Sequence, residues 1–455
     1  MGYPVVLTNS KVSQQKILHL CKNLARVERY GKTCKALSAQ GSQGVTAQRD
    51  IDRVQTRASV AAEPQLDFAR WAAATTVATP YVAVHQQLLI DNLGRAAAIA
   101  RAHGLALRPH VKTHKCIEIA RLQLAMGACG ITASKPQEAL VFILAGMPSV
   151  TVAYPVVVPL SARLLLDAAG SAQCDLRFVV DSLAGVQTLI AALAPGQMAG
   201  VYLEIDVGLG RCGVKPGSAD IARIAEAIVR TGSLRFHGLL SHAGHAYAAQ
   251  GTNAIAAIAD DERFQMKKVA VQLAEQGIFA DEISVGSTPT VLAATSFDGV
   301  TEIRPGNYVF LDLTACRLGV AQLSQVALAV VTTVVSVNDR YCIIDAGSKV
   351  LSSDTGPHGT GGGAFGQCFP LDAGTPGVAT LGVSTQAWPG GRPVARLSEE
   401  HGFVEHAAKP LPIGTRALVF PNHSCPVANL AERLVVLPQV GEPIFWPVAA
   451  RGKST

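Results

Sequence analysis

From residue 105 onward the apolar positions follow two alternating rhythms. Runs of five to eight residues have strand length and strand composition: LALRPHVK (105–112), CGITAS (129–134), VTVAY (150–154), LRFVVD (176–181), VYLEID (201–206), FHGLLSH (236–242), EISVGS (282–287) and EIRPGNY (302–308). Between most of them lie segments with apolar residues three and four apart, among them CIEIARLQLAMGA, PQEALVFILAG and ADIARIAEAIVRTG. That spacing predicts helices with one buried face. A further helix is predicted over 88–103, ahead of the first strand. Eight strands alternating with helices predict an α/β chain built as a (β/α)8 TIM barrel.

After about residue 320 the helical rhythm fades. VALAVVTTVVSV, RYCIID, ARLSEEHGFVEHA, RALVFP and RLVVLP read as short strands separated by turns, a C-terminal antiparallel β domain that TPYVAVH (79–85) could join. The Gly-rich run DTGPHGTGGGAFGQ (354–367) reads as a mobile loop without phosphate-loop spacing. The predicted organisation is a basic leader over 1–62, a barrel over 63–318 and a β domain over 319–455.

In a (β/α)8 barrel the chemistry sits at the C-terminal strand ends. Those ends read Lys112, Ser134, Tyr154, Asp181, Asp206, His242, Ser287 and Asn307. Ser134 and Asp181 are read as caps or loop hydrogen-bonders. Strands seven and eight finish on Gly-Ser-Thr (286–288) and Gly-Asn-Tyr (306–308), where glycine lets backbone N–H groups approach an anion. Two such ends facing a strand-one lysine suggest a phosphorylated cofactor whose aldehyde the lysine carries, pyridoxal 5'-phosphate (PLP).

The β domain contains PNHSCPVAN (421–429). His423 and Cys425, two apart, share a face if the backbone is extended, and imidazole plus thiolate suits zinc. Two ligands do not close a structural site; they suit an open one completed by water and substrate. SEEHG (398–402) offers Glu399, Glu400 and His401 as a second source of ligand or base.

Charge changes little in this picture. Residues 1–60 hold ten Lys/Arg against three acidic residues, and the remainder is nearly neutral. The net charge of +6 therefore belongs to a disordered leader or transit-type segment, and no nucleic-acid partner is expected. No apolar run reaches membrane-spanning length, and ten scattered cysteines without a C-x-x-C pair fit reduced thiols in the cytoplasm.

RPHVKTHK (108–115), EIDVGLGRCGV (204–214), SHAGHAY (241–247), SVGSTPT (284–290), EIRPGNYVFLD (302–312), DAGSKVLSSD (345–354), SEEHG and PNHSC together resemble the D-serine dehydratase/D-threonine aldolase family, alanine-racemase-like PLP enzymes of fold type III. The resemblance implies that PLP is bound by Lys112 rather than Lys115, and zinc by His423 and Cys425. It implies a phosphate site at Gly286, Ser287, Thr288, Gly306 and Asn307. It places Arg211 and Tyr247 near the cofactor, with His242 and Tyr247 lining the substrate side, and it implies a homodimer. Where D-threonine aldolases of this family usually carry H-x-D, this chain has H-x-C, which resembles the dehydratases. The implied reaction is dehydration of a D-3-hydroxy amino acid, D-serine type, to a 2-oxo acid and ammonia. Retro-aldol cleavage and D-3-hydroxyaspartate dehydration are its alternatives. A β-carboxylate on the substrate would call for a further cation, from Lys349 or Arg304. All of this requires Lys112 and the His423–Cys425 pair to converge on one small molecule.

Overall fold

Two sheets organise the chain in a computed structural model, which describes residues 76–356, 363–371, 390–406 and 409–455. The leader (1–62) and residues 357–362 of the Gly-rich run lie outside the described residues. The first described strand, β1 (Tyr81–His85), is wholly buried and leads directly into the helix Gln86–Ala102. Eight parallel strands follow: β2 (Ala106–Leu107), β3 (Ile131–Ala133), β4 (Ser149–Pro155), β5 (Asp175–Val180), β6 (Ala199–Ile205), β7 (Leu234–Ser241), β8 (Glu282–Val285) and β9 (Glu302–Ile303). Their order in the sheet is β2-β9-β8-β7-β6-β5-β4-β3. The ends meet through Cys129 N–H on Leu107 O (2.9 Å), Thr132 N–H on Pro109 O (2.8 Å) and a parallel bridge between His110 and Thr132. The barrel expected from the sequence is thus present.

Strand one is shorter than the apolar run suggested. Regular pairing stops at Leu107, and Arg108 N–H and His110 N–H carry the ladder toward Ile303 O and Pro305 O before the chain tightens into a 3-10 turn, Val111–Thr113. Lys112 therefore sits on a turn above the strand end. The helix after β7 spans Thr252–Ala274 and opens on TNAIAAIADD, a stretch rich in good helix formers.

The second sheet has nine strands: β1, β10 (Leu328–Val337), β11 (Tyr341–Ile344), β12 (Gly366–Pro370), β13 (Arg392–Leu397), β14 (Gly402–Glu405), β15 (Arg416–Pro421), β16 (Arg433–Leu437) and β17 (Ile444–Pro447). β1 lies antiparallel to β10 and parallel to β16, so the segment before the barrel completes the sheet after it. The end of the Gly-rich run corrects the expectation of a loop: Gly366 and Gln367 open β12, paired to β15 and β13. One apolar cluster joins this sheet to the chain leaving the barrel, with Ala329, Val331, Leu418 and Phe420 against Leu311, Leu313 and Ala315. Each fully buried aliphatic or aromatic side chain there contributes about 1.5–3 kcal/mol.

A polar knot beside that cluster fixes the sheet over the barrel mouth. Asp312 caps the short helix Leu313–Arg317 through Ala315 N–H (3.0 Å), and its other oxygen accepts from Asn307 Nδ2 (2.6 Å) and Ser424 N–H (3.0 Å). Ser424 Oγ donates back to Asn307 Oδ1 (2.6 Å), and Thr314 Oγ1 donates to Asn422 O (2.7 Å). All five side chains are buried. Satisfied networks of this kind hold a single geometry because any unmade bond leaves a buried orphan.

Candidate active site

The turn carrying Lys112 opens on a cavity of about 360 Å³ at the C-terminal strand ends, lined also by His110, Lys135, Tyr154, Glu204, Arg211, His242, Gly286 and Arg304. Two lysines three residues apart are separated here. Lys115 is buried in an ion pair with Glu138 at 2.9 Å and serves the packing. Lys112 has no carboxylate within ion-pair distance among the described residues and faces the cavity. Burial holds its pKa below the ordinary lysine range; the Cys425 sulfur opposes that and Arg211 reinforces it. The neutral amine, the form that acts as base or nucleophile, is favoured. His110 and His242 are likewise held far below the usual histidine range, by burial first and the Lys112 charge second. Both are neutral imidazoles, and one nitrogen of His242 lies 3.4 Å from Gly286 O.

The Gly-Ser-Thr and Gly-Asn ends lie against each other, with Gly286 in the cavity wall, but their side chains are spent locally. Ser287 and Thr290 form a reciprocal cap, Thr288 Oγ1 accepts from Tyr308 N–H (3.1 Å), and both ends of the Asn307 amide belong to the Asp312 knot. The backbone is what remains. The N–H groups of Thr288, Gly306 and Asn307 have no acceptor among the described residues. Gly286 has φ +105°, and a Cβ there would stand 2.8 Å from Val291 Cγ2, so only glycine makes this turn. Free amides at a helix start and a turn are the kind of donor that an anion takes.

The PNHSC segment differs from the extended form expected. His423 is extended (φ −137°), but Cys425 lies in the first turn of the helix Ser424–Leu430. Pro426 explains this, since proline fits a first helical turn, where its missing N–H costs nothing. The two side chains still meet. Burial opposes a charge on His423, but the Cys425 sulfur and a carboxylate at its other face outweigh this and push its pKa up to about 11. That carboxylate is Asp354, whose Oδ2 lies 2.7 Å from His423 Nδ1. The Cys425 thiol donates to Thr113 Oγ1 at 3.3 Å, and Asn429 Nδ2 donates to Lys112 O at 3.0 Å. The imidazole–sulfur pair therefore stands over the turn bearing Lys112, within one chain.

Other expected residues fall into two groups. Arg211 and His242 line the cavity. Tyr247 is kept as a phenol, its pKa raised by burial and by the neighbouring Cys425 sulfur. Lys349 is exposed and paired with Glu399 and Glu400 of the SEEHG turn, so neither that lysine nor those acids join the pair at 423/425 in this protomer. Arg304 is committed to Ser284 Oγ (2.6 Å) and Ser241 O. Sequence reasoning missed Asp354, Glu204 and Lys135. Glu204 is 5% exposed with Oε2 unpartnered in the cavity wall, and burial raises its pKa to about 7 against the pull of Arg211. Its place two residues before the end of a barrel strand was the only available signal.

The profile of the "Alanine racemase, N-terminal domain" family matches residues 84–314, and that of the "Putative serine dehydratase domain" matches 327–437. The chain belongs to the fold-type III PLP-dependent lyases. This lyase is 35% identical over 367 residues to the D-threo-3-hydroxyaspartate dehydratase of Delftia sp. (strain HT23), covering 77% of this chain and 91% of that one. It is 30% identical over 385 residues to the D-threonine aldolase of Arthrobacter sp, covering 83% and 94%. The solved Delftia structure superposes with a TM-score of 0.74 at 32% identity, over 82% of this lyase and 98% of that chain, and a cysteine-to-alanine mutant of it is known in a metal-free form.

The residues of this lyase fit PLP: a half-buried lysine with no carboxylate partner among the described residues faces a cavity of suitable size, and the Gly-Ser-Thr segment at its wall has an unfilled backbone donor. They also fit a metal at an open site. Among the described residues no group of three His, Cys, Asp or Glu is disposed to hold one unaided. His423 and Cys425 supply an N/S pair, with Asp354 fixing the imidazole from behind as outer-shell carboxylates do. No helix among the described residues is long and apolar enough to cross a membrane.

Proposed function

We propose that this lyase removes the elements of water from a D-3-hydroxy amino acid, D-serine being the simplest, to give a 2-oxo acid and ammonia, with PLP on Lys112 and zinc on His423 and Cys425. The observation that carries the reading is the placement of the imidazole–thiol pair over the turn of a half-buried lysine that has no carboxylate partner among the described residues. When bound, PLP supplies an electron sink for the Cα carbanion and zinc a Lewis acid for the departing hydroxyl. The chain's residues do the rest. Lys112, whose pKa burial lowers, takes the Cα proton. The free amides of Thr288, Gly306 and Asn307 would hold the phosphate, and Arg211 and Glu204, which share the cavity wall, would flank the cofactor. His242 and Tyr247, both uncharged, line the substrate side and add no competing proton donor of low pKa. Thr113 Oγ1 orients the Cys425 sulfur, and Asp354 holds the Nδ1 proton of His423 so that Nε2 is the ligating nitrogen. From D-serine, loss of water and hydrolysis of the resulting enamine yield pyruvate and ammonia with no net change in water.

Thiolate beside imidazole supports zinc and elimination. The likeness to an aldolase along the same length supports carbon–carbon cleavage as the second reading. Incubating the zinc- and PLP-loaded enzyme with D-threonine separates them. The proposal expects 2-oxobutyrate and ammonia; glycine and acetaldehyde would replace it with the aldolase reading.

A further inference from the structure

One cation on the cavity wall has no task in the reaction above. Lys135 follows β3 and precedes the helix Pro136–Leu144. Its Nζ lies 4.0 Å from the centroid of the Tyr154 ring, and both side chains line the cavity that Lys112 faces. The backbone beneath it is fixed: Ser134 N–H and Oγ both donate to Glu138 Oε2, at 2.5 and 2.8 Å, and Glu138 also takes the Lys115 ion pair. The side chain, by contrast, has no carboxylate partner among the described residues. A cation over an exposed aromatic face gains only about 0.5–1 kcal/mol, little return for fixing a long, half-buried side chain in one place. Such a seat makes sense when an anion arrives to complete it. Of the other lysines and arginines lining this cavity, Lys112 and Arg211 have roles in the proposed reaction and Arg304 is committed to Ser284 and Ser241.

The geometry points to Lys135, seated on Tyr154, as the cation that receives a carboxylate of the amino-acid substrate. The inference rests on the proposed function only in taking a D-amino acid as the ligand. Two carboxylates could fill the role, the α group of every candidate or the β group of a 3-hydroxyaspartate. Lys135 would set affinity for amino acids in the first case and select dicarboxylic substrates in the second.

The test titrates PLP-loaded enzyme with D-alanine, which has only the α-carboxylate, and with D-aspartate, which has both. Neither carries a hydroxyl to lose, so binding is read apart from turnover, through the cofactor's absorbance. Lys135→Met is expected to weaken binding by about ten- to hundredfold, the worth of a charge-assisted hydrogen bond, and Lys135→Arg to restore most of it. Equal losses for both ligands assign the α-carboxylate, and a loss confined to D-aspartate assigns the β-carboxylate. Tyr154→Leu, which removes the seat and keeps the ammonium, should give a smaller loss in the same ligands. Unchanged affinity for both ligands in a Lys135→Met protein of normal cofactor content overturns the inference. Wild-type enzyme that binds both ligands but dehydrates no D-3-hydroxy amino acid would instead overturn the proposed function and leave Lys135 standing.

Discussion

The two ends of the barrel use the same residue types to opposite effect. At the N-terminal strand ends, Ser149, Asp175, Glu282 and Glu302 open β4, β5, β8 and β9, and every charge among them is matched. Arg108 meets Glu302 at 2.7 Å and Ser149 at 2.6 Å; Arg177 meets Asp175 and Glu282, both at 2.8 Å; His237 stands 3.2 Å from Glu282. At the C-terminal ends, among the described residues, Lys112 and Lys135 lack carboxylates, Glu204 has a bare oxygen and three backbone amides lack acceptors. Burying a polar group without a partner is expensive, so a cluster of such groups around one cavity points to something that binds there. Matching, more than residue type or burial, separates structure from chemistry in this lyase.

The contrast is broken most severely by exchanging the two kinds of lesion. Lys112→Ala should cut turnover by about a thousandfold or more, abolish the absorbance of lysine-bound PLP and leave the melting temperature nearly unchanged. Arg108→Met should do the reverse. Stranding Glu302 costs about 3–5 kcal/mol of stability, while turnover per folded molecule persists. Thermal melts paired with active-site titration decide both. Cys425→Ala should leave PLP bound and lower elimination by roughly a hundredfold, with zinc content falling in parallel by elemental analysis. Asp354→Asn should weaken zinc by about ten- to hundredfold in a chelator competition, a readout independent of activity.

The smallest expected effect concerns Glu204 in PLP-free enzyme. Its folded pKa, about 7, lies above the unfolded value of 4.5, so the folded state holds the extra proton between them. That contribution to stability is intact below the unfolded value and is lost as pH rises through the folded one. Glu204→Gln should therefore match wild type at pH 4 and exceed it at pH 8, by up to about 3 kcal/mol, in chemical denaturation. Equal stability at both pH values would mean that the bare oxygen finds a partner in solution.

Much of this was readable in the chain, for identifiable reasons. The apolar runs located all eight barrel strands because parallel strands are buried on both faces and carry little else. Lys112 was legible as a titratable residue just past such a run. The rule that picks strand ends also explains a miss: it selected Ser134, which the structure spends on Glu138, and passed over Lys135 one residue later. β12 was hidden by the glycines that open it, and Cys425 was assigned an extended backbone although Pro426 signalled a helical turn. Asp354 was beyond local reading, since nothing in sequence ties it to a histidine 69 positions away. Pairing across the fold is tertiary information, and so is its absence around Glu204.

The central claim is that Lys112 and the His423–Cys425 pair act on one molecule in one cavity. The most direct measurement strips zinc from PLP-loaded enzyme with a chelator and follows 2-oxo acid release and cofactor absorbance together. The account predicts that release stops, that the absorbance of lysine-bound PLP survives, and that added zinc restores release. Continued turnover after complete removal of the metal would contradict it.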